Sequence, residues 1–177
     1  VEFLRSRGYE AVYTYEPFDS HYVFALKNYY SFLRDAYLDA LTYAADRIVH
    51  LKTVILPHLA RGSIVVCDRY YYSSVAYQTA QGAPMEWVLE VNKIMVEPDI
   101  AVYLDVDPVT ALARKRGSTS RFPEYENETF LESVRRVYLE LVNRGMLVMI
   151  DARRELEEVF NEVLSIVLSK LGFPRNR

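Results

Sequence analysis

One hundred and seventy-seven residues are enough for one domain with a substantial core and short for two. With 21 basic residues against 24 acidic ones the net charge is -3, which argues against a general nucleic-acid or membrane-surface binder and confines partners to a local site. One cysteine, no signal-peptide pattern and no apolar run long enough to span a bilayer are the marks of a soluble, reduced, cytoplasmic protein without a disulfide framework.

Residues 1–7 read as the last two turns of a helix closed by Gly8, and 9–15 as a strand that runs into Glu16-Pro17. From 22 to 59 apolar residues return at three and four residue steps, among them Phe32, Ala36, Ala40, Tyr43, Ala44, Ile48, Leu51 and Ile55. That period predicts one long amphipathic helix, or two with a break near Asn28. The apolar run 63–70 predicts a parallel strand buried on both faces, ending at Asp68-Arg69-Tyr70. Helices are expected over 73–81 and 85–96, then a strand over 100–106. Asp107 caps the next helix and Pro108 takes its first position. That helix runs to about residue 116, and 117–126 is polar and irregular. A helix over 130–142, a strand over 147–150 and a helix over 155–171 close the chain. Strands separated by helices throughout predict an α/β fold with a parallel sheet and crossover helices.

Asp68 and Arg69 stand where open α/β sheets keep their ligands. The carboxylate could organise magnesium and the guanidinium could grip a phosphate in bidentate fashion, or the two could simply cap and pair at the next helix. Tyr43 and Arg47 share a helix face, as a base-stacking ring beside a phosphate-holding cation would, or as an ordinary cation–π contact would. Arg114, Lys115, Arg116 and Arg121 surround a polar loop that could close over phosphates, or form a solvated helix end. Glu16 could meet a hydroxyl or a metal-bound water, or be a plain loop carboxylate. His21, His50 and His58 have no metal spacing with the cysteine, and Ser73 and Ser74 have no nucleophile-elbow setting.

Asp68-Arg69-Tyr70 followed by Ser73, Ala76, Tyr77 and Gln78 resembles the thymidylate kinase family. So do, in order, Glu16-Pro17, Ala44-Ala45-Asp46-Arg47, Pro98-Asp99, Leu104-Asp105-Val106-Asp107-Pro108 and Ile150-Asp151-Ala152. The resemblance implies a P-loop, nucleoside-monophosphate-kinase-like three-layer fold, one domain over 1–177 with a lid at about 114–126, and phosphorylation of dTMP to dTDP by ATP with magnesium. It implies that Arg69 and Arg47 hold the dTMP phosphate, that Tyr43 stacks on the base, and that Asp68 organises the metal. Ser73 and Ser74 would approach the base edge, Tyr77 the deoxyribose, and Glu16 would join the same pocket. Arg116 would flank adenine, with Arg114 and Arg153 on the ATP side and Arg121 reaching the phosphates. A homodimer through the long helices is implied as well.

Two departures stand out. Tyr15 replaces the arginine that many family members carry before Glu-Pro, and no G-x-x-x-x-G-K-[ST] occurs. The resemblance then implies that about two dozen residues, a central strand and the phosphate loop, are lacking in front, and that the chain as given is inactive by itself. The rival expectations are a nucleotide-binding or interaction protein of kinase descent without a P-loop, and a kinase for another deoxynucleoside monophosphate.

Overall fold

The computed structural model describes residues 1–18, 20–115, 125 and 127–172, which fall into two compact units, Val1–Glu97 and Pro98–Arg177. In the first unit, α1 (Glu2–Ser6) stops at Gly8, whose N–H donates to Arg5 O and whose φ of +86° turns the chain so that the Tyr9 N–H reaches Leu4 O. Strand β1 (Ala11–Tyr15) follows and lies parallel to β2 (Ile64–Asp68), with Ala11 opposite Ile64 and Tyr15 opposite Asp68.

The connection between them is helical. It comprises α2 (His21–Asn28), a 3₁₀ turn at Ser31–Leu33 and α3 (Ala36–His50), which continues through a π turn at Leu51–Ile55 into α4 (Leu56–Ala60). The break expected near Asn28 is present, and Asp35 restarts the helix by accepting from the N–H groups of Tyr37 and Leu38. Pro57 has no N–H for the carbonyl one turn back, and the wider π register sits immediately before it. Helices α5 (Tyr71–Ala80) and α6 (Met85–Asn92) complete the unit. Val23 and Leu26, Ala40 and Ala44, Val75 and Ala76, and Val88 bring α2, α3, α5 and α6 together in its core.

Two expectations need correction. Phe32 does not join the buried face of the long helix but is 80% exposed, because it falls in the 3₁₀ turn, outside the helical period. Strand β2 is not buried on both faces: Val66 and its register partner Tyr13 are both exposed, since a two-stranded sheet covered on one side leaves the other open.

In the second unit, β3 (Val102–Asp105) pairs in parallel with β4 (Val148–Asp151). Asp107 caps α7 (Pro108–Lys115) through the Thr110 N–H at 2.8 Å, as the sequence predicts. Helices α8 (Glu128–Asn143) and α9 (Leu156–Lys170) pack on β3 and β4, and Val134, Leu141, Leu147, Ile150 and Val159 form this core. The fold is mixed α/β with parallel strands joined through helices, although the described residues pair as two two-stranded sheets and not as one continuous sheet. No described helix is long and apolar enough to cross a membrane.

Candidate active site

The two strand ends of the first unit meet at Glu16 and Asp68, where the Glu16 N–H donates to Asp68 O at 3.0 Å. Asp68 is exposed, and its carboxylate accepts from the Tyr13 hydroxyl at 3.3 Å. Arg69 follows with φ at 65°, a left-handed conformation that costs a non-glycine residue about 1–3 kcal/mol and is concentrated at functional positions. Its guanidinium lies 5.4 Å from the centre of the Tyr77 ring on α5.

Helix α3 presents Tyr43, Asp46, Arg47 and His50 on one face, at the steps of three and four residues that align side chains. Arg47 is 3% exposed. Its Nε donates to Glu16 Oε2 at 2.6 Å, one Nη to Asn92 Oδ1 at 2.5 Å and the other to Ser74 Oγ at 3.0 Å, and its charge lies 5.7 Å from the Tyr70 ring centre. The second Glu16 oxygen is 3.2 Å from His50 Nδ1, and His50 Nε2 is 2.6 Å from Thr14 Oγ1. Asp46 accepts from the N–H groups of Phe18 and Ser20, which fixes the loop after the cis Glu16-Pro17 bond. Thus Glu16, Arg47 and Ser74, three residues expected around the acceptor, form one buried hydrogen-bonded cluster.

The other expected contacts surround it. Tyr43 accepts from Arg34 at 3.5 Å, and Arg34 grips the fully buried Asp39 in bidentate fashion. Ser73 donates its backbone N–H to Tyr70 O in the first turn of α5. Burial pushes the Tyr70 phenol and the Cys67 thiol each up to about 12, so both stay neutral.

Among the described residues no group of three or more His, Cys, Asp or Glu side chains could hold a metal by itself. Magnesium beside phosphates needs only one or two carboxylates, its other ligands being water and phosphate oxygens, and the exposed Asp68 meets that requirement.

In the second unit, Arg114 donates to the carbonyls of Ala152 and Arg153 at 2.6 and 3.0 Å, tying the end of α7 to the loop after β4. Arg153 binds Asp151 through its backbone N–H and its guanidinium, which holds that carboxyl well below the usual carboxylate range. Arg116 and Arg121 lie outside the described residues.

From sequence, Asp46 stands out only within the Ala44–Arg47 motif and His50 only where a metal site is excluded, and Asn92 has no role. His50 is three residues from Arg47 and seven from Tyr43, so helical spacing places it on their face. Asn92, 45 residues from Arg47, carries no such signal.

A family model described as thymidylate kinase matches residues 1–163. A probable thymidylate kinase of Staphylothermus marinus is 58% identical over 172 residues, covering 97% of this chain and 86% of its own length. One of Caldivirga maquilingensis is 37% identical, covering 94% and 83%. A thymidylate kinase of Geobacillus thermodenitrificans is 37% identical, covering 96% and 81%.

Proposed function

Because the chain belongs to the thymidylate kinase family, we propose that it is a nucleoside monophosphate kinase whose acceptor, dTMP, is bound at the ends of β1 and β2 against the Tyr43–His50 face of α3. The buried Glu16–Arg47–Ser74 cluster beside the strained Arg69 is the observation that carries this assignment. Transfer of the ATP γ-phosphoryl group needs positioning and charge stabilisation more than covalent help from the protein.

Arg69, exposed at the strand end, holds the dTMP phosphate. Arg47 uses three of its five N–H groups on Glu16, Asn92 and Ser74, and we assign the remaining two to an acceptor oxygen of dTMP. Tyr43 stacks on the base, Tyr77 lies along the deoxyribose, and Ser73 and Ser74 border the base edge. Magnesium, held through Asp68 and its waters, neutralises charge on the phosphates when bound. We assign Arg114 and Arg153 to the ATP side; Arg116 and Arg121, which the resemblance assigns there too, lie outside the described residues. We place the reaction in the cytoplasm, in keeping with the single free thiol at Cys67.

Isothermal calorimetry with dTMP tests the acceptor assignment. One saturable site per chain is expected, with Tyr43→Ala weakening it about tenfold or more through lost stacking. No saturable heat, or unchanged affinity in that variant, would remove the site.

The same unit exposes Tyr22, Phe24, Tyr29, Tyr30, Phe32 and Leu33, six large apolar side chains close together in sequence, and apolar surface of this kind marks an interaction face when it is contiguous. We assign it to a homodimer. Light scattering is expected to give twice the 20.6 kDa chain mass, and Phe32→Glu to halve it. A monomeric parent would end that assignment.

A further inference from the structure

Within the acceptor site proposed above, His50 has no assigned part, yet it is completely buried and satisfied at both ring nitrogens. An aliphatic side chain would fill such a place if packing were all it required. Instead the ring bridges two elements: Thr14 inside β1 and the Glu16 carboxylate just beyond that strand's end. It also stacks on Phe18 with ring centres 4.7 Å apart and planes 12° apart. A neutral imidazole fits both bonds, with the Thr14 hydroxyl donating to Nε2 and the Nδ1–H donating to Glu16 Oε1. Arg47 already occupies Oε2, so the two oxygens of one buried carboxylate are fixed by two residues one helical turn apart.

We propose that His50 is a positioning residue for the acceptor: through Nδ1–H it sets the orientation of the Glu16 carboxylate, and through Glu16 that of Arg47, while its stacked face holds Phe18 beside them. The proposal rests on the dTMP assignment of this pocket. It predicts a dependence on one nitrogen atom, which a merely structural role would not show. An asparagine at this position carries its amide nitrogen where Nδ1 lies, a glutamine carries its own nearer Nε2, and a leucine carries neither.

Calorimetry with dTMP on His50→Asn, His50→Gln and His50→Leu, below the melting temperature of each, separates them. His50→Asn is expected to bind within about threefold of the parent, and His50→Gln and His50→Leu about tenfold or more weaker, the cost of leaving a buried carboxylate oxygen without its donor. All three are expected to melt lower than the parent. Parent-like affinity in His50→Leu, or equal losses in His50→Asn and His50→Gln, would overturn the proposal. Should His50→Leu not fold, the asparagine and glutamine pair decides. A parent that shows no dTMP binding would overturn the acceptor assignment and this proposal together, whereas a binding parent with an unselective series overturns the proposal alone.

Discussion

Replacing Arg69 with glycine is expected to lower dTMP turnover by roughly 10²–10³-fold, the usual consequence of removing a preorganised charge from a transferring group. The same variant should nearly keep its melting temperature. Arg69 holds a φ of 65°, which strains any side-chain-bearing residue and is comfortable for glycine. Relief of that strain, about 1 kcal/mol, works against loss of the side chain's contacts, the cation–π contact to Tyr77 among them at about 0.5–1 kcal/mol, so a melting point within about 4 °C of the parent is expected. Arg69→Ala keeps the strain and loses the contact, so it should be the less stable of the two and equally inactive. Kinetics paired with calorimetric melting of both variants make the check. A glycine variant that melts far below the parent would make Arg69 a structural residue, and unchanged turnover would remove it from the site.

The second large effect is on stability. Arg47→Met leaves Glu16, 6% exposed, with His50 as its remaining side-chain partner among the described residues, and leaves the Asn92 and Ser74 oxygens without their guanidinium donors. Breaking a buried ion pair from one side costs about 3–5 kcal/mol, which for a chain of this size is a fall in melting temperature of about 6–20 °C. The penalty comes mostly from the stranded carboxylate. Glu16→Gln added to Arg47→Met should therefore recover a good part of the melting temperature while dTMP binding stays lost. Thermal melts of the single and double variants check this; a double variant less stable than Arg47→Met would refute the stranded-charge explanation.

Much of the scaffold could be read from local pattern. The Asp107-Pro108 helix start, the glycine stop at Gly8 and the helix break near Asn28 depend on short-range chemistry that the sequence displays within a few residues. Glu16, Arg47 and Asp68-Arg69 were visible as strand-end and helix-face residues, and the motif order connected them to one family. The polar core of α3 was not visible. A helical period weighted toward apolar residues points to Ile48, whereas Asp46, Arg47 and His50 are the more deeply buried side chains. Their burial is stabilised by partners 27 to 45 residues away, Glu16, Phe18, Ser74 and Asn92, which no local window contains. The exposure of Val66 likewise depends on how many strands flank β2, a property of the sheet and not of the apolar run.

The most direct measurement is phosphoryl transfer from ATP to a panel of nucleoside monophosphates. It is made with protein in which a phosphate-loop segment precedes Val1, since no G-x-x-x-x-G-K-[ST] lies within the 177 residues. Formation of dTDP from dTMP, requiring magnesium and failing in Arg69→Gly, is the predicted result. Transfer to another nucleoside monophosphate in preference to dTMP, or dTDP formation undiminished in Arg69→Gly, would contradict the assignment of the β1–β2 end as the dTMP site.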